Sequence, residues 1–388
     1  MTARYFFVLI ASIGALAIFS STLSKTPVLP LFAAHLGATP AEIGWIVIAS
    51  TIPGILISFP AGAISDFFGK RRVIVASLVV FATAPFLYLL VTDAWQLTAV
   101  RFYHGFATAI FNTVATAALA AQYPERRAAM LSTYSSITIA GRSVAPFLGG
   151  FLISVASFES VYWACAISGV LAFVVGLMLP AESPRSRADV RFPHFFAALR
   201  DVLSSRAIML TSIVEAAQFL VFGAVEAFLA LYAASVGIPA WQIGIILGAQ
   251  LLSVIIVKPL MGNLSDRFGR SAIIFPGLAL GAISVALVPM ADEVYALSAL
   301  SMLYGAAFAT VTSSTTALVA DVAKEGQFGA SVGVLRTIMD IGQTIGPVLT
   351  GLLIAAWGYG VAFPALATII AASALMFVFV PRPVASSA

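Results

Sequence analysis

The stretch GAISDFFGKRR, residues 62–72, recurs 200 residues later as GNLSDRFGR, residues 262–270. The two copies share identical residues: Gly62, Ser65, Asp66, Phe68 and Gly69 match Gly262, Ser265, Asp266, Phe268 and Gly269. The same offset relates Gly37 to Gly237 and Gly105 to Gly305. Because one offset holds over such a long range, the sequence predicts two copies of one structural unit.

The composition predicts a membrane protein. Of the 388 residues, 61% are hydrophobic and 9% are charged, and the mean hydropathy is +1.05, whereas a soluble domain is about half apolar and about a quarter charged. Apolar stretches of about 20 residues, long enough to cross about 30 Å of hydrocarbon as helices, recur along the chain. We predict twelve spans, near residues 5–34, 42–64, 72–91, 96–121, 128–155, 160–180, 206–234, 240–262, 270–290, 295–320, 328–356 and 360–380.

The distribution of basic residues predicts the orientation. If the N-terminus is cytoplasmic, most of the 20 Lys and Arg residues fall on the cytoplasmic side, while the outer loops carry Glu42, Asp93 and Glu159. We therefore expect a multi-pass protein of the plasma (inner) membrane with both termini in the cytoplasm. The net charge of +4 is a signal of topology, so no nucleic-acid partner is expected.

The duplication predicts the domain organisation. Six spans are an even number, so both copies have the same orientation in the membrane. We expect an N-terminal six-helix bundle at residues 1–180, a polar cytoplasmic linker at 181–205 and a C-terminal six-helix bundle at 206–388. A short amphipathic helix is predicted around residues 195–203 of the linker.

Three further patterns accompany the repeat and lead to a resemblance. RFYHG runs from Arg101 to Gly105, GRSVAPFLGG is residues 141–150, and GQTIGPVLTG is residues 342–351. Together with the signature at Gly62, Asp66, Gly69 and the basic run after it, the chain resembles the major facilitator superfamily over essentially its whole length. The resemblance implies an all-α membrane protein with twelve transmembrane helices in two parallel six-helix repeats, working by alternating access. The two glycine-rich patterns are similar to those of the family's proton-coupled exporters.

The resemblance implies two structural roles. The repeated signature would latch the cytoplasmic side, with Asp66 docking against neighbouring helix ends or basic groups such as Arg126 or Arg127, and Gly62 and Gly69 would form a tight turn. The signature residues are Gly62, Asp66, Gly69, Lys70, Arg71, Gly262, Asp266, Gly269 and Arg270. Close helix packing and bending are expected at Gly141, Pro146, Gly149, Gly150, Gly342, Gly346 and Pro347. Pro27, Pro30, Pro53 and Pro60 are further predicted bends.

Charged residues inside the predicted spans are candidates for function, because burying a charge in a membrane costs a few kcal/mol. Glu215 and Glu226 are 11 residues apart and form one helical stripe with Gln218 and Phe222. The resemblance implies that this stripe faces the central pathway. The proton-coupling candidates are Glu215, Glu226 and Asp340; a static ion pair, or a glutamate that reaches the outer interface, is the alternative for the two glutamates.

Basic residues outnumber acidic residues in the predicted membrane interior. Besides the glutamine and phenylalanine of the stripe, the candidates for the substrate pathway are Lys25, Arg101, His104, Arg142 and Arg336. This excess favours a substrate with an acidic group; the alternative is internal pairing, with Arg336 pairing Asp340 four residues away and Lys258 reaching the cytoplasmic face. Lys25 and Glu226 are predicted to form an outer gate. His104 either titrates or is a hydrogen-bonded packing residue.

These features together predict a secondary transporter, most simply a proton-coupled exporter of small organic molecules that acts as a monomer among membrane lipids. No cofactor is expected, since the proton gradient supplies the energy and no P-loop is present. Three histidines and one cysteine that do not cluster give no metal site, and no catalytic set predicts an enzyme. The alternatives are a proton-coupled uptake symporter of an organic anion and, from another class, a membrane sensor that does not transport.

Overall fold

The computed structural model describes residues 3–180, 200–324 and 328–379, and within these ranges every regular element is helical. Long apolar runs favour helices because a membrane-buried backbone must satisfy its own hydrogen bonds. The first half contains α1 (Ala3–Leu23), α2 (Val28–His35), α3 (Pro40–Ile48), α4 (Thr51–Phe68), α5 (Lys70–Tyr88), α6 (Ala94–Gln122), α7 (Arg127–Val155) and α8 (Phe158–Leu177). The second half contains α9 (Arg206–Ser235), α10 (Ala240–Phe268), α11 (Arg270–Ala286), α12 (Val294–Val322), α13 (Phe328–Trp357) and α14 (Tyr359–Phe377).

The predicted all-α membrane fold is confirmed. In the described ranges, 10 helical segments are long and apolar enough to cross a membrane, and one of them, Arg4–His35, comprises both α1 and α2. The other two predicted spans correspond to the pair α3 and α4, which is interrupted at residues 49–50, and to α6, which carries several polar residues. Pro27 immediately precedes α2, and Pro53 lies in the first turn of α4. Both breaks therefore occur where a proline cannot donate a backbone hydrogen bond.

The backbone repeats with the offset that the sequence predicts. Gly37 and Gly237 have φ values of +81° and +84°, and Gly69 and Gly269 have φ values of +89° and +90°. This left-handed region is open to glycine and strained for other residues, which accounts for glycine in both copies. The predicted turn from Gly62 to Gly69 is wrong at its first residue, however. Helix α4 continues through Gly62 to Phe68, so the turn consists of Gly69 alone.

A close helix contact also repeats at the same offset. A Cβ added to Gly105 would lie 2.3 Å from the carbonyl oxygen of Ser50, and one added to Gly305 would lie 2.5 Å from that of Gln250. Real Cβ atoms do not approach a backbone oxygen this closely. Each glycine therefore lets one helix reach the backbone of another within its own half.

The described residues form two compact units. Unit 1 contains residues 3–180 and the segment 239–248 near the start of α10. Unit 2 contains residues 200–238 and the described residues after 248. In unit 1, α1 packs against α7 and α8, and α5 packs against α6 and α8, around a core that includes Ile10, Phe81 and Phe111. In unit 2, α9 packs against α12, α13 and α14, and α11 packs against α12 and α14.

The predicted linker lies mostly outside the described residues, since residues 181–199 are not among them. Residues 200–204 are helical and cover the C-terminal end of the predicted amphipathic helix. Helix α9 begins at Arg206, so the predicted boundaries at 180 and 206 remain predictions about domain organisation.

Candidate functional site

The Glu215 site lies in unit 2, where α9, α10, α12 and α13 contribute polar side chains. Glu215 projects from α9 and is only 3% exposed. Thr315 of α12 donates a hydrogen bond from Oγ1 to Glu215 Oε2 at 2.7 Å. The same Thr315 Oγ1 lies 2.9 Å from the carbonyl oxygen of Val311. The buried carboxyl group therefore has a hydroxyl partner that can either donate to it or donate to the backbone.

Two basic side chains act electrostatically on this carboxyl group. They are Lys258 of α10 and Arg336 of α13, and both are exposed. Asp340, one turn beyond Arg336, is also exposed and lies within the electrostatic influence of Arg336. A charge exposed in a membrane-spanning helix needs water or protein around it rather than lipid. We therefore expect these three exposed side chains to face water or protein, not lipid.

The alternative of a direct Arg336–Asp340 pair is not formed in the structure. Among the described residues of unit 2, ion pairs join Arg270 to Asp266 and Asp321, and Lys324 to Asp201. Two exposed side chains four residues apart gain little from pairing in water and lose rotamer freedom when they pair. Arg336 is thus left available to a group outside its own helix.

The predicted stripe along α9 has polar residues first and aromatic residues after them. Gln218 follows Glu215 by almost one turn and is fully buried. One turn further, Phe222 stacks on Phe308 of α12 with ring centroids 4.3 Å apart, and Phe219 meets Phe308 edge to face at 4.9 Å. Glu226 lies farther along the same helix and is also buried.

A second polar group, the Arg101 cluster, lies inside unit 1 and consists of Ser50, Tyr88, Arg101 and His104. Arg101 of α6 is 3% exposed, and it donates from Nη2 to Ser50 Oγ at 2.6 Å and from Nη1 to the Tyr88 hydroxyl at 3.3 Å. The Tyr88 hydroxyl also lies 3.3 Å from His104 Nδ1. His104 is thus a buried, hydrogen-bonded residue, which agrees with the second of its two predicted roles, that of a packing residue.

The Arg101 cluster explains the spacing of RFYHG. Gly105 lets α6 approach the backbone of Ser50, and Arg101, one turn earlier on α6, binds the Ser50 side chain. Ser50 and Tyr88 were not predicted from the sequence, because serine and tyrosine are common in membrane helices and carry no charge that distinguishes them. The basic candidates Lys25 and Arg142 are not part of this cluster.

The other two basic pathway candidates lie on other elements of unit 1. Lys25 is half-buried in the turn between α1 and α2, and Arg142 is exposed in the middle of α7. Lys25 belongs to unit 1 and Glu226 to unit 2, so the outer gate stays a prediction.

The described side chains of the repeated signature contact the ends of neighbouring helices. In unit 2, Arg270 makes an ion pair with Asp266 and donates from Nε to Asp321 Oδ2 at 2.9 Å. These two ion pairs join the start of α11 to the end of α10 and to the end of α12. Asp321 was not a predicted site residue, since one acidic residue at the end of a span gives no signal by itself.

In unit 1, Arg71 donates from Nη2 to the carbonyl oxygen of Leu177 at 2.9 Å, at the C-terminal end of α8. A cation is favourable at a helix C-terminus, where carbonyl groups lack partners within the helix. The side chain of Asp66 is outside the described part of the structure, and the latch predicted for it is therefore still a prediction.

The predicted packing glycines permit close helix contacts in both units. A Cβ added to Gly342 or Gly346 of α13 would lie 2.2 Å from the Ala216 oxygen or 2.0 Å from the Leu220 oxygen of α9. In unit 1, a Cβ on Gly150 would lie 2.3 Å from the Ala240 oxygen, while Gly141 and Gly149 leave 3.2 Å and 3.0 Å to their nearest neighbours. Pro146 and Pro347 lie inside α7 and α13, both of which continue through them.

The sequence pattern of the Major Facilitator Superfamily matches residues 10–249 and 211–388 of the chain. The chain belongs to the major facilitator superfamily. It is similar to the multidrug resistance protein MdtG of Proteus mirabilis, with 26% identity over 87% of this chain and 86% of that one. It is similar to the quinolone resistance protein NorA of Staphylococcus aureus, with 24% identity over 84% of each chain. A crystal structure of a mutant of the nucleoside transporter NupG has the same fold, with a TM-score of 0.82 and 15% identity over 97% of this chain and 100% of that one.

The chain is therefore a major facilitator transporter and an integral, multi-pass membrane protein. Its family and relatives are transporters, so it is not an enzyme. For the same reason, the alternative prediction of a membrane sensor that does not transport is rejected. The Glu215 site and the Arg101 cluster are two buried polar groups among the described residues, and its transport function can be considered around them.

Proposed function

We propose that the transporter is a proton-coupled exporter of small organic molecules that works by alternating access. The observation that carries the proposal is the buried Glu215 carboxyl group, with the Thr315 hydroxyl at 2.7 Å and two exposed basic side chains acting on it. Burial makes the charged form of a carboxyl group costly, and the Thr315 hydroxyl supplies a partner in both protonation states. An ionised Glu215 accepts from Thr315, and a protonated Glu215 donates to Thr315 while Thr315 donates to Val311.

The charges around Glu215 indicate how coupling to a proton would work. Glu215, Asp340, Lys258 and Arg336 sum to zero when both acids are ionised. An organic cation that binds the ionised Glu215 competes with a proton for the same carboxylate, because that oxygen pair carries the charge that attracts both. Such competition lets one be exchanged for the other across the membrane, which is antiport.

The relatives support export as the direction, since MdtG is named a multidrug resistance protein and NorA a quinolone resistance protein. We propose the plasma (inner) membrane as the location, with cytoplasmic termini as the Lys and Arg distribution predicts. We further propose that the transporter works as a monomer, with no cofactor and with the proton gradient as its energy source. A small-molecule substrate and the surrounding lipid are its proposed partners.

Proton-coupled uptake of an organic anion is the second candidate, and the exposure of Lys258 and Arg336 favours it. Protonation of Glu215 leaves one unbalanced positive charge among the four groups. An organic anion could then bind together with the proton, which is symport.

Flux in proteoliposomes under an imposed pH gradient separates the two candidates. We expect ethidium, an aromatic cation, to move against the proton flow, with benzoate showing no gradient-driven movement. Gly333→Ala is a suitable control, because a Cβ added at Gly333 meets nothing within 4 Å. Benzoate movement in the direction of the protons would contradict export and support the anion symporter.

A further inference from the structure

Gln218 is a buried amide side chain without a hydrogen-bond partner. It is fully buried on α9, almost one turn from Glu215. Within the described ranges, neither its Nε2 nor its Oε1 has a partner. An unpaired buried amide destabilises a fold, and a leucine of similar size avoids that cost. Because the Gln218 side chain keeps an unpaired donor beside an unpaired acceptor, it indicates a site where another molecule forms both hydrogen bonds.

A polar neighbour on α12 binds the backbone of Gln218 and not its amide. The Tyr304 hydroxyl of α12 donates to the backbone oxygen of Gln218 at 3.4 Å, which leaves the side chain unpaired. A second buried glutamine in unit 2 shows the contrast. Gln250 is 2% exposed, and its Oε1 accepts from the Ser301 hydroxyl at 3.1 Å. The Gln250 amide is therefore hydrogen-bonded within unit 2, whereas the Gln218 amide is not.

The groups beside Gln218 indicate the shape of the ligand. Phe222 lies one turn along α9 and stacks on Phe308, and Phe219 completes an aromatic group of three rings. Aromatic rings favour offset stacking or edge contact with other rings. The amide of Gln218 presents N–H and C=O together, so its complement carries an adjacent acceptor and donor.

Building on the proposed function, we propose that Gln218 recognises the substrate by a paired hydrogen bond. The ligand class is an aromatic molecule that carries an amide or lactam edge, with its ring against Phe219, Phe222 and Phe308. A site built to hydrogen-bond a polar group binds an analogue that lacks it more weakly, because the buried partner is then left unpaired, so ethidium is expected to be a weaker ligand than a lactam.

The test compares two aromatic compounds of the same shape. Isoquinolin-1(2H)-one carries an N–H beside a C=O, while 1-methoxyisoquinoline has no donor. Equilibrium binding to the purified full-length transporter should show a preference of about tenfold or more for the lactam. Gln218→Leu and Gln218→Met should bind the two compounds equally and unfold at or above the wild-type temperature. Gln250→Leu should unfold at a lower temperature and keep the preference.

The opposite results would overturn the assignment. A wild-type protein without a preference, including one that binds neither compound, contradicts it, as does a Gln218→Leu protein that retains the preference. Lower stability of both Gln218 variants together with an intact preference would make Gln218 a packing residue. The binding assay needs no pH gradient, so a lactam preference without proton-driven flux would refute the proposed coupling and leave the recognition by Gln218 standing.

Discussion

Gly346→Ala tests how closely α9 and α13 pack in the unit that holds Glu215. The added Cβ would lie 2.0 Å from the Leu220 oxygen, whereas ordinary contact begins at 3.4 Å. The obstacle is backbone and not the end of a flexible side chain, so the two helices must separate by about 1.4 Å at this point. Overpacking of this kind costs about 1–3 kcal/mol. At about 2–4 °C per kcal/mol, we expect the unfolding temperature to fall by about 2–12 °C.

Thermal unfolding of the purified protein in detergent measures this effect, and α13 itself supplies a matched control. Gly333 lies on the same helix, and a Cβ added there meets nothing within 4 Å. Gly333→Ala should leave the unfolding temperature unchanged or raise it slightly, because alanine favours a helix by about 0.5–1 kcal/mol over glycine. Equal unfolding temperatures for Gly346→Ala and the wild type would refute the packing argument, and so would equal losses in both variants.

Three further predictions concern single hydrogen bonds. Thr315→Val removes a hydrogen bond to Glu215 that is worth about 1.5–3 kcal/mol when the carboxyl group is ionised and about 0.5–1.5 kcal/mol when it is protonated. The difference should raise the pH midpoint of proton-driven flux by about one unit, and Thr315→Ser should restore it. A midpoint unmoved by valine would exclude Thr315 from coupling. Asp321→Asn removes an exposed partner of Arg270, so we expect slower flux with a free energy of unfolding within about 1 kcal/mol of wild type. Unchanged flux would reduce this ion pair to a surface contact. Ser50→Ala leaves a buried guanidinium N–H of Arg101 unpaired and should lower the free energy of unfolding by about 1–3 kcal/mol. Ser50→Thr keeps the hydroxyl and serves as the control. Equal stability of the alanine and threonine variants would contradict the role of Ser50 in the Arg101 cluster.

The fold could be predicted because its determinants are local or periodic. Apolar runs mark the spans, and the glycines at 69 and 269 recur at the offset that relates the two halves. The predicted turn at Gly62 was wrong for a physical reason. Nothing lies within 4 Å of a Cβ added to the equivalent Gly262, and α10 continues through that residue, as α4 does through Gly62. Glycine alone does not end a membrane helix whose neighbouring residues remain helical.

The candidate site could be predicted in part. Glu215, Gln218 and Phe222 share one face of α9 by helical spacing, so the sequence brings them together without knowledge of any other helix. Thr315 and Phe308 come from α12 and were missed, because the sequence does not show which helix faces which. Even the direct Arg336–Asp340 pair, which spacing permits, is not formed, since exposed side chains four residues apart gain little by pairing.

Glu215→Gln in proteoliposomes tests the central claim, that Glu215 carries the proton, most directly. The amide keeps the size of the side chain and can accept from Thr315, but it cannot take up or release a proton. We expect ethidium flux driven by a pH gradient to be lost and ethidium binding to be weaker, because the carboxylate that attracts both the cation and the proton is gone. Gradient-driven flux of wild-type size in this variant would contradict the account and remove Glu215 from proton coupling.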